Sequence, residues 1–474
     1  MFADDSLLFF QAEVEQARSI KHALSLYENS TGQLINPSKC SLLFSGFCPV
    51  ATQEEIKGVL QVQSASFEEK YLGLPTPDGR MKATQFQPLG ERLSKRMTNW
   101  NEKYMSAGAK DVLIKSVAQA LPTYTMGMFK MSDKFCEEYS QLVRNFWWGH
   151  DKGERKVHWI SWEKLPSPKT FGGMGFRDIK CFNQALLARQ AWRLLTMPDS
   201  LCARILKAKY YPHGNLLDTA FPSVSSPTWK AIEHGLQLLK DGVIWRIGNG
   251  TNIKIWRHRW IPKGDKSVVP RKNNRNRLLY VNELLNPGTK EWNERLVRHV
   301  MKEEDATETL RMNLSDAIDE DFPAWQPERT GMFTVKSAYR LAWNLKQPTS
   351  ASSSSEADGE RKIWRCLWKT NVQPKVKIFA WKLAHDRLPT WENKRKRKIE
   401  QSGIFPICAQ TVEDGFHATV ECTKARALRE GMREIWKLPG EECFARTGPD
   451  WLLVLLDAFD DAMRAHVLYL LWRS

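Results

Sequence analysis

No stretch of this 474-residue sequence comes near the roughly 20 uncharged apolar residues that a membrane-spanning helix needs, so a spanning protein is not expected. The N-terminus lacks a basic flank, and Asp4-Asp5 interrupts its short apolar run, which argues against a secretory signal. The nine cysteines are scattered and odd in number, as for reduced thiols inside a cell rather than a disulfide framework. The composition is not that of a disordered chain either: 42% is hydrophobic, and 20 Trp, 21 Phe and 10 Tyr supply material for packed cores. Acidic residues are in deficit, 54 against 70 Lys and Arg, which leaves +16 at pH 7. Such a surplus fits a polyanionic partner, either nucleic acid or an anionic membrane surface, or simply a basic soluble protein. About three structural units are expected at this length.

The first ten residues, Met1 to Phe10, read as a strand, a tight turn at Asp4-Asp5 and a returning strand. Two carboxylates at a hairpin tip either hold a divalent metal or stand in water as an ordinary turn. Val14, Ala17, Ile20, Leu24 and Tyr27 then recur at helical spacing, Gly32 stops the helix, and Cys40 to Phe44 reads as a further strand.

That order, with Thr31-Gly32-Gln33-Leu34-Ile35-Asn36-Pro37-Ser38-Lys39, closely resembles the end of a reverse transcriptase palm. In that family F/Y-A-D-D binds metal and a G-L-x-I-N-x-x-K segment follows. The resemblance implies Asp4 and Asp5 as metal-binding carboxylates. It also places Tyr71-Leu72-Gly73 at the primer grip, with Tyr71 and Gly73 near nucleic acid. Two-metal phosphoryl transfer needs carboxylates from two directions. In the family the third lies upstream of A-D-D, where only Met1, Phe2 and Ala3 stand here. The expectation is therefore an incomplete catalytic pair in a truncated polymerase relative, inactive alone. Mg2+ would matter only with a complete palm, for instance by association with an upstream palm fragment.

From Ala83 to Phe146 long helical patterns are punctuated by Leu121-Pro122. Trp100, Met105-Ser106-Ala107-Gly108, Leu113-Ile114-Lys115-Ser116-Val117 and Leu121-Pro122-Thr123-Tyr124 match the region after the palm in plant-type LINE polymerases, with Lys110 where Arg is usual. Helices there act as a thumb on the template–primer duplex. Lys110 and Lys115 are thus candidate phosphate contacts, or else ordinary solvated lysines. The Gly172–Gly175 cluster has no strand–loop–helix context for phosphate binding and reads as a turn with little backbone restriction. Trp at helical spacing is expected in the core. Val243 to Trp256 reads as a β-hairpin turning at Asn249-Gly250. The basic loop from Arg271 to Arg277 is expected to be solvated.

The segment from Gly331 to Tyr339 reads as a strand running into a helix, and the serine-rich Gln347 to Glu360 as a flexible loop. With Trp364, Trp368, Pro374 to Trp381 and Leu388-Pro389-Thr390, this part is similar to the reverse transcriptase zinc-binding domain. Cys408, His417 and Cys422 have the spacing C-x8-H-x4-C, with thiolates and an imidazole suited to tetrahedral zinc. The family pattern begins with another Cys three residues earlier, where Phe405 stands. Either zinc is held with its fourth place taken by water, Glu413 or Cys443, or the site has decayed and its Cys and His simply pack. Lys394-Arg395-Lys396-Arg397-Lys398 falls on an expected helix and fits phosphate contact, a nuclear import address or a solvated surface.

The expected fold class is α+β, mainly helical, with a residual reverse-transcriptase palm hairpin, a helical thumb and connection, and a small Trp-rich zinc-binding-like C-terminal domain. The expected divisions are 1–75 palm, 76–150 thumb-like, 151–330 connection, 331–440 zinc-binding domain and 441–474 helical tail. The functional expectation is a retrotransposon-derived, truncated relative of RNA-directed DNA polymerases with residual binding to RNA or an RNA–DNA hybrid. The alternative is an inert or domesticated protein-interaction module. A soluble intracellular protein is expected, with no membrane partner; the nucleus is the compartment that the basic run fits.

Overall fold

Ser132, Asp178, Ser200, Ser226, Thr334 and Thr390 each stand just before a helix, and each side chain accepts the backbone N–H three residues on. Those amides have no partner within their own helices, so the caps fix where the helices begin. The computed structural model describes residues 7–474 apart from 63–69, 72, 76–82, 101–104, 152–153, 156, 222–224, 263–277, 316–318, 348–362, 405–407 and 410. Among them the chain is mainly helical, with three two-stranded antiparallel pairings. No described helix is long and apolar enough to cross a membrane.

The chain divides into two compact units, Met1–Gln85 and Phe86–Ser474. In the first, helices Val14–Thr31 and Val50–Leu60 pack together, burying Ala17 and Ile56. The helix at 14–31 follows the expected apolar spacing and ends at Gly32. Lys70–Tyr71 pairs with Leu74–Pro75 across a turn at Gly73. Neither 7–10 nor 40–44 forms the expected strand. A strand needs a hydrogen-bonded neighbour, and none lies beside either segment among the described residues.

In the second unit, helices Ile179–Thr196, Pro227–Gly242 and Val335–Lys346 enclose a core around Trp229 and Trp325. The first two approach closely enough that a Cβ added to Gly235 would lie 2.2 Å from the carbonyl carbon of Leu187. A second core gathers Trp245, Ile253, Trp260, Val281, Val297 and Ala306. The C-terminal helices Trp451–Asp457 and Asp461–Arg473 pack on helix Pro374–Ala384. Trp147, Trp148 and Trp192, at the helical spacing expected to be in the core, are buried, and Trp229, Trp260, Trp325 and Trp381 are fully so.

The hairpin expected over 243–256 does not form. Val243–Arg246 pairs instead with Phe322–Trp325, and Ile253 to Ile255 bonds to Leu279 and Val281. Asp321 explains the difference. Its Oδ1 accepts the amides of Gly248 (2.8 Å) and Gly250 (2.9 Å), and its Oδ2 that of Asn252 (2.8 Å). The amides around the Asn249-Gly250 turn are thereby tied to a distant segment. The Gly172–Gly175 turn is also more constrained than expected, since a Cβ on Gly173 would stand 1.9 Å from the Ser167 carbonyl oxygen. The Gly172 carbonyl accepts hydrogen bonds from Trp381 Nε1 and His385 Nε2, each at 2.7 Å. The strand expected near Gly331 lies earlier, at Phe322–Trp325.

Candidate metal centre

Asp414 stands at the start of a helical turn, and its Oδ1 accepts the His417 amide at 2.8 Å. From His417 to Glu421 the backbone winds as a π-helix, closed by the Cys422 amide donating to the His417 carbonyl at 2.9 Å. Such wide turns recur at functional sites. This one brings Cys422, at the head of helix Thr423–Arg433, beside the imidazole. Cys408 arrives from the other direction, next to Ala409 in the left-handed region (φ 52°) and inside the bridge between Ile404 and Val412.

Among the described residues this is where His, Cys, Asp or Glu side chains assemble as metal donors. One ligand atom from each of Cys408, His417 and Cys422 lies within 4.8 Å of the others. Cys408 Sγ is 3.3 Å from His417 Nε2. Donors around one tetrahedral zinc, bound at roughly 2.0–2.3 Å, stand roughly 3.5 Å apart, so a small contraction would seat the ion. Nδ1 of His417 lies 2.9 Å from Thr411 Oγ1 and 3.8 Å from Glu421 Oε2. A hydrogen bond from Nδ1 to Thr411 would leave the Nε2 lone pair facing Cys408, the usual arrangement behind a ligating histidine. His417 and Cys422 are buried, and Cys408 is half-buried. The donor set fits zinc.

Glu413 and Cys443, two of the expected substitutes for a fourth ligand, do not join the group. Glu413 is buried, and its Oε2 accepts the Trp391 amide at 2.8 Å. Cys443 is exposed at the end of the short turn Glu441–Cys443. Phe405 lies outside the described residues, as do Asp4 and Asp5, the serine-rich 348–360 and the basic loop 271–277. Sequence reasoning missed Thr411 and Asp414. Asp three residues before His is a capping signal that could have located Asp414; nothing local marks Thr411.

A family described as zinc-binding in reverse transcriptase matches residues 333–428, which include all three donors. An uncharacterized mitochondrial protein of Arabidopsis thaliana is 38% identical over 152 residues, 32% of this chain and 97% of that protein. The chain belongs to the reverse-transcriptase-related proteins of plants. Another Arabidopsis thaliana relative, named as a ribonuclease H protein, is 29% identical over 361 residues; the match takes in 74% of this chain and 56% of the relative.

In this reverse-transcriptase-related chain the cations singled out from sequence fare unequally. Lys110 is buried, and its Nζ donates to the Phe146 carbonyl at 2.9 Å over that residue's ring, so it is an interior lysine and not a phosphate contact. Lys115 is half-buried and pairs with Asp111 at 2.7 Å. Tyr71 and Gly73 sit in the 70–75 hairpin. The 394–398 run does not cover all faces of a helix, because helix Trp391–Lys396 ends within it and Lys398 turns left-handed at φ 58°. Lys394 lies over the Trp391 ring, Arg395 grips Glu392 through two bonds at 2.7 and 2.8 Å, and Arg397 donates to the Trp159 carbonyl. The Arg395 guanidinium holds the Glu392 carboxyl below its usual range. Arg395, Lys396, Arg397 and Lys398 are exposed.

Proposed function

We propose that this chain is a retroelement-derived nucleic-acid-binding protein of the non-LTR type, whose zinc-binding element orders a basic surface for RNA or an RNA–DNA hybrid. The observation that carries this reading is the convergence of Cys408, His417 and Cys422 within the segment matched by the zinc-binding family. Cys408 Sγ, His417 Nε2 and Cys422 Sγ would hold the ion. Zinc would supply a fixed cationic tie between Cys408 and the head of helix 423–433. The exposed cations of 395–398 belong to the same matched segment, and phosphate contact is the use such a surface has in this chemistry. On the same reading 1–75 derives from a polymerase palm, 76–150 from a thumb and 151–330 from a connection region.

The test joins metal content to binding. Purified protein should contain zinc, and fluorescence anisotropy should show submicromolar binding to an RNA–DNA hybrid that weakens steeply as salt rises. Well-folded protein that ignores the hybrid at low salt would end this reading. It would favour a protein-interaction module, for which the exposed Phe9, Leu34 and Phe47 of the first unit are the specific support.

A further inference from the structure

Away from the metal centre, an open cavity of about 460 Å³ lies between the 213–219 loop and the 251–258 segment, with Tyr280 at its edge. Its floor is built around Asp218. Arg257 Nε meets Asp218 Oδ1 at 3.0 Å, while Oδ2 meets His258 Nε2 at 3.2 Å and Lys254 Nζ at 3.5 Å. His258 is buried and stacked on Trp245, and its Nδ1 accepts the Lys254 amide at 3.1 Å. Nδ1 is therefore the acceptor and Nε2 the donor, which leaves the ring neutral and both nitrogens used.

That geometry excludes two readings. His258 has no free nitrogen for acid–base work. Asp218 is engaged by three donors, so a divalent cation would have to displace them all. What remains is an excess of donors. Two cations face one carboxylate, and burial, which pushes the Asp218 carboxyl up, is outweighed by His258, Arg257 and Lys254, so it stays ionised. Among the described residues Arg257 Nη1 has no protein acceptor, and the Lys254 ammonium makes only its long contact with Asp218. Asn252 and His213 line the same cavity, and Tyr280 is bridged to Lys254 across the backbone pairing.

We propose that this cavity binds a phosphate-bearing nucleotide unit, with the phosphate on Lys254 and Arg257 and the remainder against Tyr280, Asn252 and His213. A planar guanidinium and an ammonium held apart by one carboxylate match a phosphate's several acceptor oxygens. An aromatic ring beside them suits a base. The volume falls in the range of small-ligand sites. The source is either a free nucleotide or one nucleotide of a strand.

Isothermal titration calorimetry on the full zinc-loaded chain, with inorganic phosphate, adenosine monophosphate and a short single-stranded oligonucleotide, tests it. Binding by the nucleotide or the oligonucleotide is expected, weakened about tenfold or more by Lys254→Glu. Tyr280→Ala should weaken both and leave inorganic phosphate unchanged. Tighter binding of the oligonucleotide would assign the site to a strand, and tighter binding of the monophosphate to a free nucleotide. Because Lys254 also touches Asp218, circular dichroism melting accompanies each variant, and Asn252→Ala gives an independent variant on an exposed side chain. No binding by wild type, or binding indifferent to both Lys254→Glu and Asn252→Ala, overturns the proposal. Hybrid binding measured on the same samples keeps the two readings apart, since its loss alone counts against the metal-organised surface and not against this cavity.

Discussion

Cys408 and Cys422 would each contribute one thiolate to the same ion, yet their surroundings make their loss unequal. Cys422 is buried at the head of a helix and its amide closes the π-turn, whereas Cys408 is half-buried on a loop. Cys408→Ser is expected to lower bound zinc by more than half, read by elemental analysis after dialysis, with the helical circular dichroism signal kept. Cys422→Ser should lower both metal content and stability. Zinc retained in full by both variants would mean that the three residues merely pack. A different single residue governs the loop at 248–252. Asp321→Ala removes the acceptor for three amides, so a loss of about 2 kcal/mol is expected from urea unfolding. Asp321→Asn should lose less, because one carbonyl oxygen remains for Gly248 and Gly250. Equal stability for both variants would sink the assignment.

At the scale of elements, Asp178 joins two helices. It caps 179–196 through the Cys181 amide at 2.9 Å, and its other oxygen meets Lys346 of helix 335–346 at 2.6 Å. Burial pushes its carboxyl up, but the Cys181 amide and the Lys346 ammonium outweigh burial and hold it below the usual value. A depressed folded pKa contributes stability that is whole above the unfolded value, about 3.9, and is lost as pH falls through the folded one. Urea midpoints should therefore drop below pH 4 more steeply in wild type than in Asp178→Asn, and superimposable pH profiles would refute the link. The helix at 14–31 and the C-x8-H-x4-C donors were readable, because each signal sits within a few turns of chain. The 243–256 hairpin was misread because Asp321, beyond any local window, takes the turn's amides. The burial of Lys110 was invisible because its acceptor is a backbone carbonyl 36 residues away, which carries no residue identity.

At the scale of the whole molecule, the two units differ in how they close. Residues 86–474 hold the two cores described above, the buried tryptophans and all three metal donors. The first unit buries Ala17 and Ile56 but leaves Phe9, Leu34, Leu43 and Phe47 largely in water. Exposed apolar side chains in such number favour association. A chain of residues 86–474 is thus expected to fold by itself, with the zinc content and urea midpoint of the full chain, and to bind less of a hydrophobic dye and scatter less light. The comparison is direct, because burial inside 86–474 sets its stability, whereas the apolar surface of 1–85 sets the tendency to aggregate. A lower midpoint or lost zinc in the shorter chain would show that residues 86–474 do not fold independently, and the division at residue 85 would fall.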